Sequence, residues 1–185
     1  MTIYCYDTEF LEDGNTIELI SIGIVCEDGR EYYAVNSDMP EDRIHKDYWL
    51  INNVWKHLPV RGLKTGLVGS GDNIRIEVTH DGTLDRNSTV VKPKWVIANE
   101  VREFLLAAPD PELWAYYAAY DHVALAQLWG KMIRLPTGIP MWTHELMQLA
   151  ESIPNFVEPE ATDEHHALAD ARWNYELLKA AKAEM

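Results

Sequence analysis

The sequence predicts an α/β domain with a mixed sheet flanked by helices, and three features carry that prediction. Residues 1–35 read as three strands joined by short turns, the second half alternates strands with helices, and 47% of the 185 residues are hydrophobic, enough to fill a core. Residues 2–10 (TIYCYDTEF) are rich in aromatic and β-branched side chains, and residues 16–26 (TIELISIGIVC) repeat that texture after the turn signal Glu12-Asp13-Gly14-Asn15. A second break, Glu27-Asp28-Gly29, precedes residues 30–35 (REYYAV), so the three form an antiparallel meander. Past Pro40, residues 41–57 have helical composition, whereas residues 59–71, with four glycines and a proline, read as loop. Alternation in residues 73–91 around Asp81-Gly82 predicts a surface β-hairpin, so that about residues 60–92 form a loop and hairpin insertion. Val96, Val101, Phe104 and Leu105 fall near helical spacing and predict a helix over 94–107, ended by Pro109 and Pro111. A buried strand at 113–117 follows, then helices at 122–129, 143–152 and 164–183. No repeat or low-complexity linker interrupts residues 1–185, so a single domain is expected.

Charge and composition exclude several classes. Sixteen Lys and Arg stand against 30 Asp and Glu, a net charge of −14, which argues against a general DNA coat. No apolar run approaches the roughly 18 residues of a membrane span, and the first ten residues carry acids in place of a basic leader, so a soluble cytoplasmic protein without membrane partners is expected. Cys5 and Cys26 lie in strand-like stretches without metal-site spacing and read as buried free thiols.

Three segments could carry chemistry. Asp7-Thr8-Glu9 sets two carboxylates two residues apart on a strand, hence on one face and within reach of one cation. The spacing recurs at Asp110-Pro111-Glu112, but there a proline-rich loop lets water solvate both acids, whereas an apolar strand admits charges only when they are paired. Asp121 follows the 113–117 strand and opens a helix; its local sequence favours an N-cap, and ligand chemistry at the C-terminal end of a strand stays open beside it. His165 and Asp170 would stand about 140° apart on one helix, so they converge only if His165 lies in the loop or first turn before it. Small residues at Ala167, Ala169 and Ala171 let that helix approach a sheet closely. The ordinary reading of His165-His166 is a solvated helix start, and zinc fits poorly because sequence neighbours diverge on a helix and no third nitrogen or sulfur ligand is spaced to join them. Taken together, four carboxylates from three segments form a set that oxygen-seeking Mg²⁺ or Mn²⁺ selects.

The pattern Asp7-x-Glu9, Asp121 and His165-x-x-x-x-Asp170 resembles the three motifs of the DEDDh branch of the DnaQ-like 3′–5′ exonucleases. Asp7-Thr8-Glu9-Phe10-x-Glu12-Asp13-Gly14, the TIELISIG and EDGREYYAV stretches, and Ala119-Tyr120-Asp121-His122-Val123-Ala124-Leu125 with Gln127-Leu128-Trp129-Gly130 look like the RNase AS group, compact bacterial exoribonucleases that prefer adenylate-containing RNA. The likeness covers residues 3–35 and 95–182, while residues 60–92 are longer than the compact pattern. It implies an RNase H-like five-stranded mixed sheet, a homodimer, and release of 5′-nucleoside monophosphates from single-stranded RNA 3′ ends. It further implies two Mg²⁺ or Mn²⁺ ions held by Asp7, Glu9, Asp121 and Asp170, with His165 as general base and Thr8, Glu9 and Phe10 contacting substrate. Phe10 suits stacking on the terminal base as well as ordinary core packing, and Tyr117, Tyr120 and Trp142 are weaker aromatic candidates. Two other readings stay open: a DEDDh exonuclease acting on short oligoribonucleotides or DNA 3′ ends, and a non-catalytic RNA-binding domain. Residues 48–71, 86–99 and 122–144 contain no acid yet hold eight bases, Lys56, Arg61, Lys64, Arg86, Lys92, Lys94, Lys131 and Arg134, so the negative charge is unevenly spread.

Overall fold

The computed structural model describes residues 1–161 and 164–185. Its meander follows the sequence pattern: β1 (Thr2–Glu12), β2 (Ile17–Cys26) and β3 (Glu31–Asn36) pair antiparallel in order. Residues 41–57 are not one helix but α1 (Glu41–Ile44), α2 (Tyr48–Asn53) and a 3₁₀ turn (Trp55–His57), because the Asp47 carboxylate accepts the Leu50 N–H and starts α2 afresh.

The expected loop at 59–71 contains β4 (Val60–Arg61) and β5 (Lys64–Val68), and beyond it lie β6 (Arg75–His80) and β7 (Thr83–Leu84). β5 pairs with β6 and β4 with β7, so Asp81-Gly82 links two separate pairings and does not turn the hairpin expected over 73–91. The chain reverses between β5 and β6 through Gly69 and Gly71, both at positive φ, a conformation glycine adopts without a Cβ penalty.

After β8 (Val91–Lys92) come α3 (Lys94–Leu106) and β9 (Pro111–Ala115). Tyr117, at φ +56, bends the chain into α4 (Ala118–Ala126), four residues earlier than the expected start. The predicted helix at 143–152 is β10 (His144–Glu145) followed by α5 (Leu146–Glu151), and the last helix, α6 (Ala167–Ala183), begins after His165 and His166.

The central sheet runs β10-β9-β1-β2-β3-β8. It is mixed, with β9 parallel to both β1 and β10 and β8 parallel to β3. Six strands stand where five were expected, since each edge is closed by a two-residue strand. Alternation along β1 sends Tyr4 and Tyr6 into the core shared with Ile97, Val101 and Leu125 of α3 and α4, and Cys5 into the layer under Leu177 and Leu178 of α6. Both cysteines are buried and free. Among the described residues no helix is long and apolar enough to cross a membrane.

Two contacts fix α6 over β1 and β2. A Cβ at Gly23 would lie 2.3 Å from the Ala167 carbonyl oxygen, so only glycine lets the first turn of α6 sit this close to β2. Four residues further along α6 than Asp170, the buried Asn174 amide donates to the Tyr6 carbonyl at 2.9 Å. Gly23 is the β2 partner of Asp7, so the close approach delivers the start of α6 onto the acidic segment of β1.

Candidate active site

Asp7 and Glu9 point from the α6 side of β1, as the strand period requires, and Asp170 comes down on them from the first turn of α6. One carboxyl oxygen of each lies within 4.8 Å of the other two.

Asp121 reaches the same place by a different route. Pairing of β1 with β9 stops at Cys5↔Trp114, leaving the later backbone groups on that edge of β1 without a strand partner. The Thr8 N–H is taken there by the Asp121 carboxylate at 2.8 Å, and the Thr8 hydroxyl donates to the same oxygen at 2.6 Å. Asp121 therefore lies in the first turn of α4, bonded across the sheet edge, and is not the N-cap; Tyr117 holds the cap position. Thr8 is buried at 4% exposure, and both its hydroxyl and its N–H donate to Asp121, so the expected substrate contact gives way to a role in holding that carboxylate. α4 is in turn fixed by Glu145, whose carboxylate accepts the N–H groups of Tyr117 and Ala118 while also capping α5 through Met147.

Four carboxyls so close repel one another, and burial removes the water that would screen them. Burial first, then Asp121, Glu9 and Asp170, push the Asp7 carboxyl far above the ordinary carboxylate range. Glu9 rises to about 8, by burial and then by Asp170 and Asp121. Asp121 is pushed up to about 7 by burial against the opposing Thr8 hydrogen bonds, and Asp170 to about 6 by burial against the amides of His165 and His166. Among the described residues no Lys or Arg figures in these shifts. An all-oxygen donor set with mutual repulsion and no cationic side chain to relieve it fits hard divalent cations such as Mg²⁺ and Mn²⁺.

His165 occupies the turn before α6 at φ +68, the placement needed for convergence with Asp170. Its ring meets the edge of Trp49 with centroids 4.8 Å apart, and burial lowers its pKa, with the charge of Lys56 adding to that effect and Glu164 opposing it. His166 caps α6 and stacks on Tyr33 at 4.7 Å, so the pair is not a solvated helix start.

These groups open into a cavity of about 770 Å³ that holds Asp7, Glu9, Asp121, His165 and Asp170 together. Phe10 lines it, its ring nearly parallel to Tyr120 at 5.9 Å, and Tyr117 also borders it. Trp142 does not: it borders a separate hollow of about 80 Å³ beside Glu112 and His144. Glu112 of the second D-x-E accepts the Trp114 indole N–H at 2.6 Å, away from the cluster. Trp49, Tyr116 and Trp173 also line the main cavity and have no motif to mark them in the sequence. Loop residues 158 and 159 on that wall are held by bonds from the Tyr116 hydroxyl to Glu158 and from the Trp173 indole to the Pro159 carbonyl.

The 3'-5' exoribonuclease Rv2179c-like domain model matches residues 2–181. Over 171 residues the chain is 42% identical to the 3'-5' exoribonuclease Rv2179c of Mycobacterium tuberculosis strain H37Rv, covering 91% of this chain and 86% of the relative. The 3'-5' exoribonuclease MT2234.1 of strain CDC 1551 matches to the same extent. A chain matched along nearly its whole length, with its acids gathered in one cavity, belongs to the Rv2179c-like 3'-5' exoribonuclease domain family.

Proposed function

We propose that this chain removes nucleotides one at a time from the 3′ end of single-stranded RNA, as a DEDDh enzyme of the RNase AS type using two Mg²⁺ or Mn²⁺ ions. The convergence of Asp7, Glu9 and Asp170 within 4.8 Å carries this reading. Asp7, Glu9 and Asp170, with Asp121 alongside, would hold the ions, which would supply charge neutralisation at the scissile phosphate and acidification of water. His165, kept neutral by its lowered pKa, takes the proton as the water oxygen bonds to phosphorus. The 3′ oxygen of the penultimate nucleotide leaves with the electron pair of the broken P–O bond and gains a proton, and the product is a 5′-nucleoside monophosphate. Thr8 keeps Asp121 turned toward Asp7, and Phe10 offers its face to the terminal base. Adenylate preference, a homodimer and a cytoplasmic location belong to the same proposal by family likeness alone.

Nucleotide release from 3′-adenylated RNA, other single-stranded RNA and single-stranded DNA tests it. Release from RNA in Mg²⁺ or Mn²⁺, abolished by a chelator and by Asp7→Ala, is expected. Preference for DNA, or an Asp7→Ala variant that cleaves like the parent, overturns it.

A further inference from the structure

Along the sheet from the acids lie two hydroxyl side chains, Ser21 and Tyr33, that do not line the cavity. Ser21 is the β2 partner of Glu9, and side chains directly opposite on neighbouring strands share a face with Cβ atoms about 4.5–5.5 Å apart. Tyr33 of β3 pairs with Gly23, which places it diagonal to Ser21 on the same face, a separation that an aromatic side chain spans. Above them the His166 ring stacks on Tyr33 at 4.7 Å, and the first turn of α6 closes over Gly23. The Ser21 and Tyr33 hydroxyl oxygens are both buried, and neither has a hydrogen-bond partner among the described residues. Burial pushes the Tyr33 hydroxyl up to about 12, opposed by the neighbouring Ser21 hydroxyl and aided by the charge of Glu9, so it stays a proton donor.

We infer that Ser21 and Tyr33 are positioning residues for Glu9, their hydroxyls holding a buried water that donates to one Glu9 carboxylate oxygen and leaves the other turned toward Asp7 and Asp170. A buried hydroxyl without a partner is destabilising, and a direct bond from Ser21 to Glu9 would still leave Tyr33 without one. One water serves both: its two lone pairs accept the two O–H donors and one of its hydrogens goes to the carboxylate, about three bonds in all, the usual number for a buried water. Such a partner sets the orientation of a ligand carboxylate before an ion arrives, and partners of this kind contribute about 10- to 100-fold to metal affinity or activity. The Tyr33 ring also carries His166, which caps α6, so the same side chain ties Glu9 to the helix that bears Asp170.

The inference rests on the proposed metal-dependent reading, and the test separates the two. Mn²⁺ affinity in the absence of RNA is measured from the paramagnetic resonance signal of free Mn²⁺ for the parent, Tyr33→Phe, Ser21→Ala and the double variant. Tyr32→Phe is the control, since the Tyr32 hydroxyl bonds Glu100 on the other face of β3. Tyr33→Phe keeps the ring on His166 and removes only the hydroxyl. Each single variant should weaken Mn²⁺ binding about 10- to 100-fold. The double variant should lie within about threefold of the weaker single one, because a shared water is lost only once, and Tyr32→Phe should bind as the parent does. On RNA, kcat at limiting Mn²⁺ should fall in the single variants and return to the parent value in excess Mn²⁺, with KM for RNA unchanged; a general loosening of the sheet would not recover in this way. Parent-like Mn²⁺ affinity in either single variant, losses that multiply in the double variant, or a kcat that excess Mn²⁺ does not restore overturns the inference alone. A parent that binds no Mn²⁺ overturns the metal-dependent reading and the inference with it.

Discussion

Replacing Glu9 by glutamine should stabilise the metal-free protein. Glu9 titrates near 4.5 when unfolded and is raised to about 8 in the folded state by burial and by Asp170 and Asp121. A carboxyl with a raised folded pKa contributes stability that is fully present below its unfolded pKa and is lost as pH rises through the folded pKa. Between about pH 4.5 and 8 the folded protein therefore loses stability steadily from this group alone. At about pH 7.5 three pH units separate the solution from the unfolded value, which at 1.36 kcal/mol per unit is a cost of roughly 4 kcal/mol. The glutamine side chain keeps the shape, removes the charge and lightens the repulsion on Asp7 and Asp170. A gain of about 2–4 kcal/mol corresponds to roughly 5–15 °C in Tm for a chain of this length. Thermal unfolding of parent and Glu9→Gln in a chelator should show Tm curves that coincide near about pH 4.5 and diverge toward about pH 8, with the variant higher. Excess Mg²⁺ or Mn²⁺ should reverse the order, because only the parent keeps the full donor set and gains by mass action. A variant less stable than the parent in chelator at the alkaline end, or a difference that does not grow with pH, would refute the claim that the four acids repel one another in the folded state.

Three further outcomes follow from the same geometry. Gly23→Ala should force α6 off β2, because the new Cβ would meet backbone at 2.3–2.4 Å; a loss of about 1–3 kcal/mol in thermal unfolding and a larger fall in Mn²⁺ affinity are expected, and parent-like metal affinity would contradict the docking argument. Thr8→Val removes one of two donors to Asp121, so kcat on RNA should drop about 10- to 150-fold with Thr8→Ser restoring it, the loss of one charge-assisted bond of roughly 1.5–3 kcal/mol; a change in KM alone would assign Thr8 to substrate instead. Chelation should weaken binding of a cleavage-resistant phosphorothioate RNA at least about tenfold by fluorescence anisotropy, since the cavity carries acids and no described Lys or Arg; metal-independent binding would count against the proposed role of the acids.

What is legible in the sequence is what is periodic and local. The strands of the meander show their period in β-branched and aromatic residues, and the carboxylates of β1 stand out because charges in an apolar strand need a partner. The turn before α6 follows from the 3.6-residue period, which keeps His165 and Asp170 apart unless the helix begins after His165. What stays hidden is non-local. Asp121 looks like a cap from its neighbours, and its bond to Thr8 exists only because β9 ends and leaves the β1 edge open. The double capping by Glu145 joins residues 27 and 28 positions apart, and no window of sequence carries that. The hairpin is misplaced by sequence because Asp81-Gly82 is a strong turn signal, yet both flanking strands find partners earlier in the chain. Trp49 reads locally as a residue of an apolar helix, and only the fold shows that half its surface is open at the cavity edge.

The uneven charge takes on a definite shape once the fold is known. Of the eight bases in the acid-free windows, Arg61, Arg86 and Lys92 are neutralised by Asp85, Glu41 and Glu100. The acids are concentrated where the proposed substrate must enter, and burial, with mutual repulsion added, pushes their carboxyls above the ordinary range. A polyanion meets such a cavity favourably only after divalent cations have reversed its sign, and then only over the few nucleotides that those cations and the aromatic walls can reach. Affinity built that way grows little with the length of RNA outside the cavity and depends weakly on salt, because few phosphates exchange counterions for side chains. Such a cavity is suited to short single-stranded ends and poorly suited to holding a duplex.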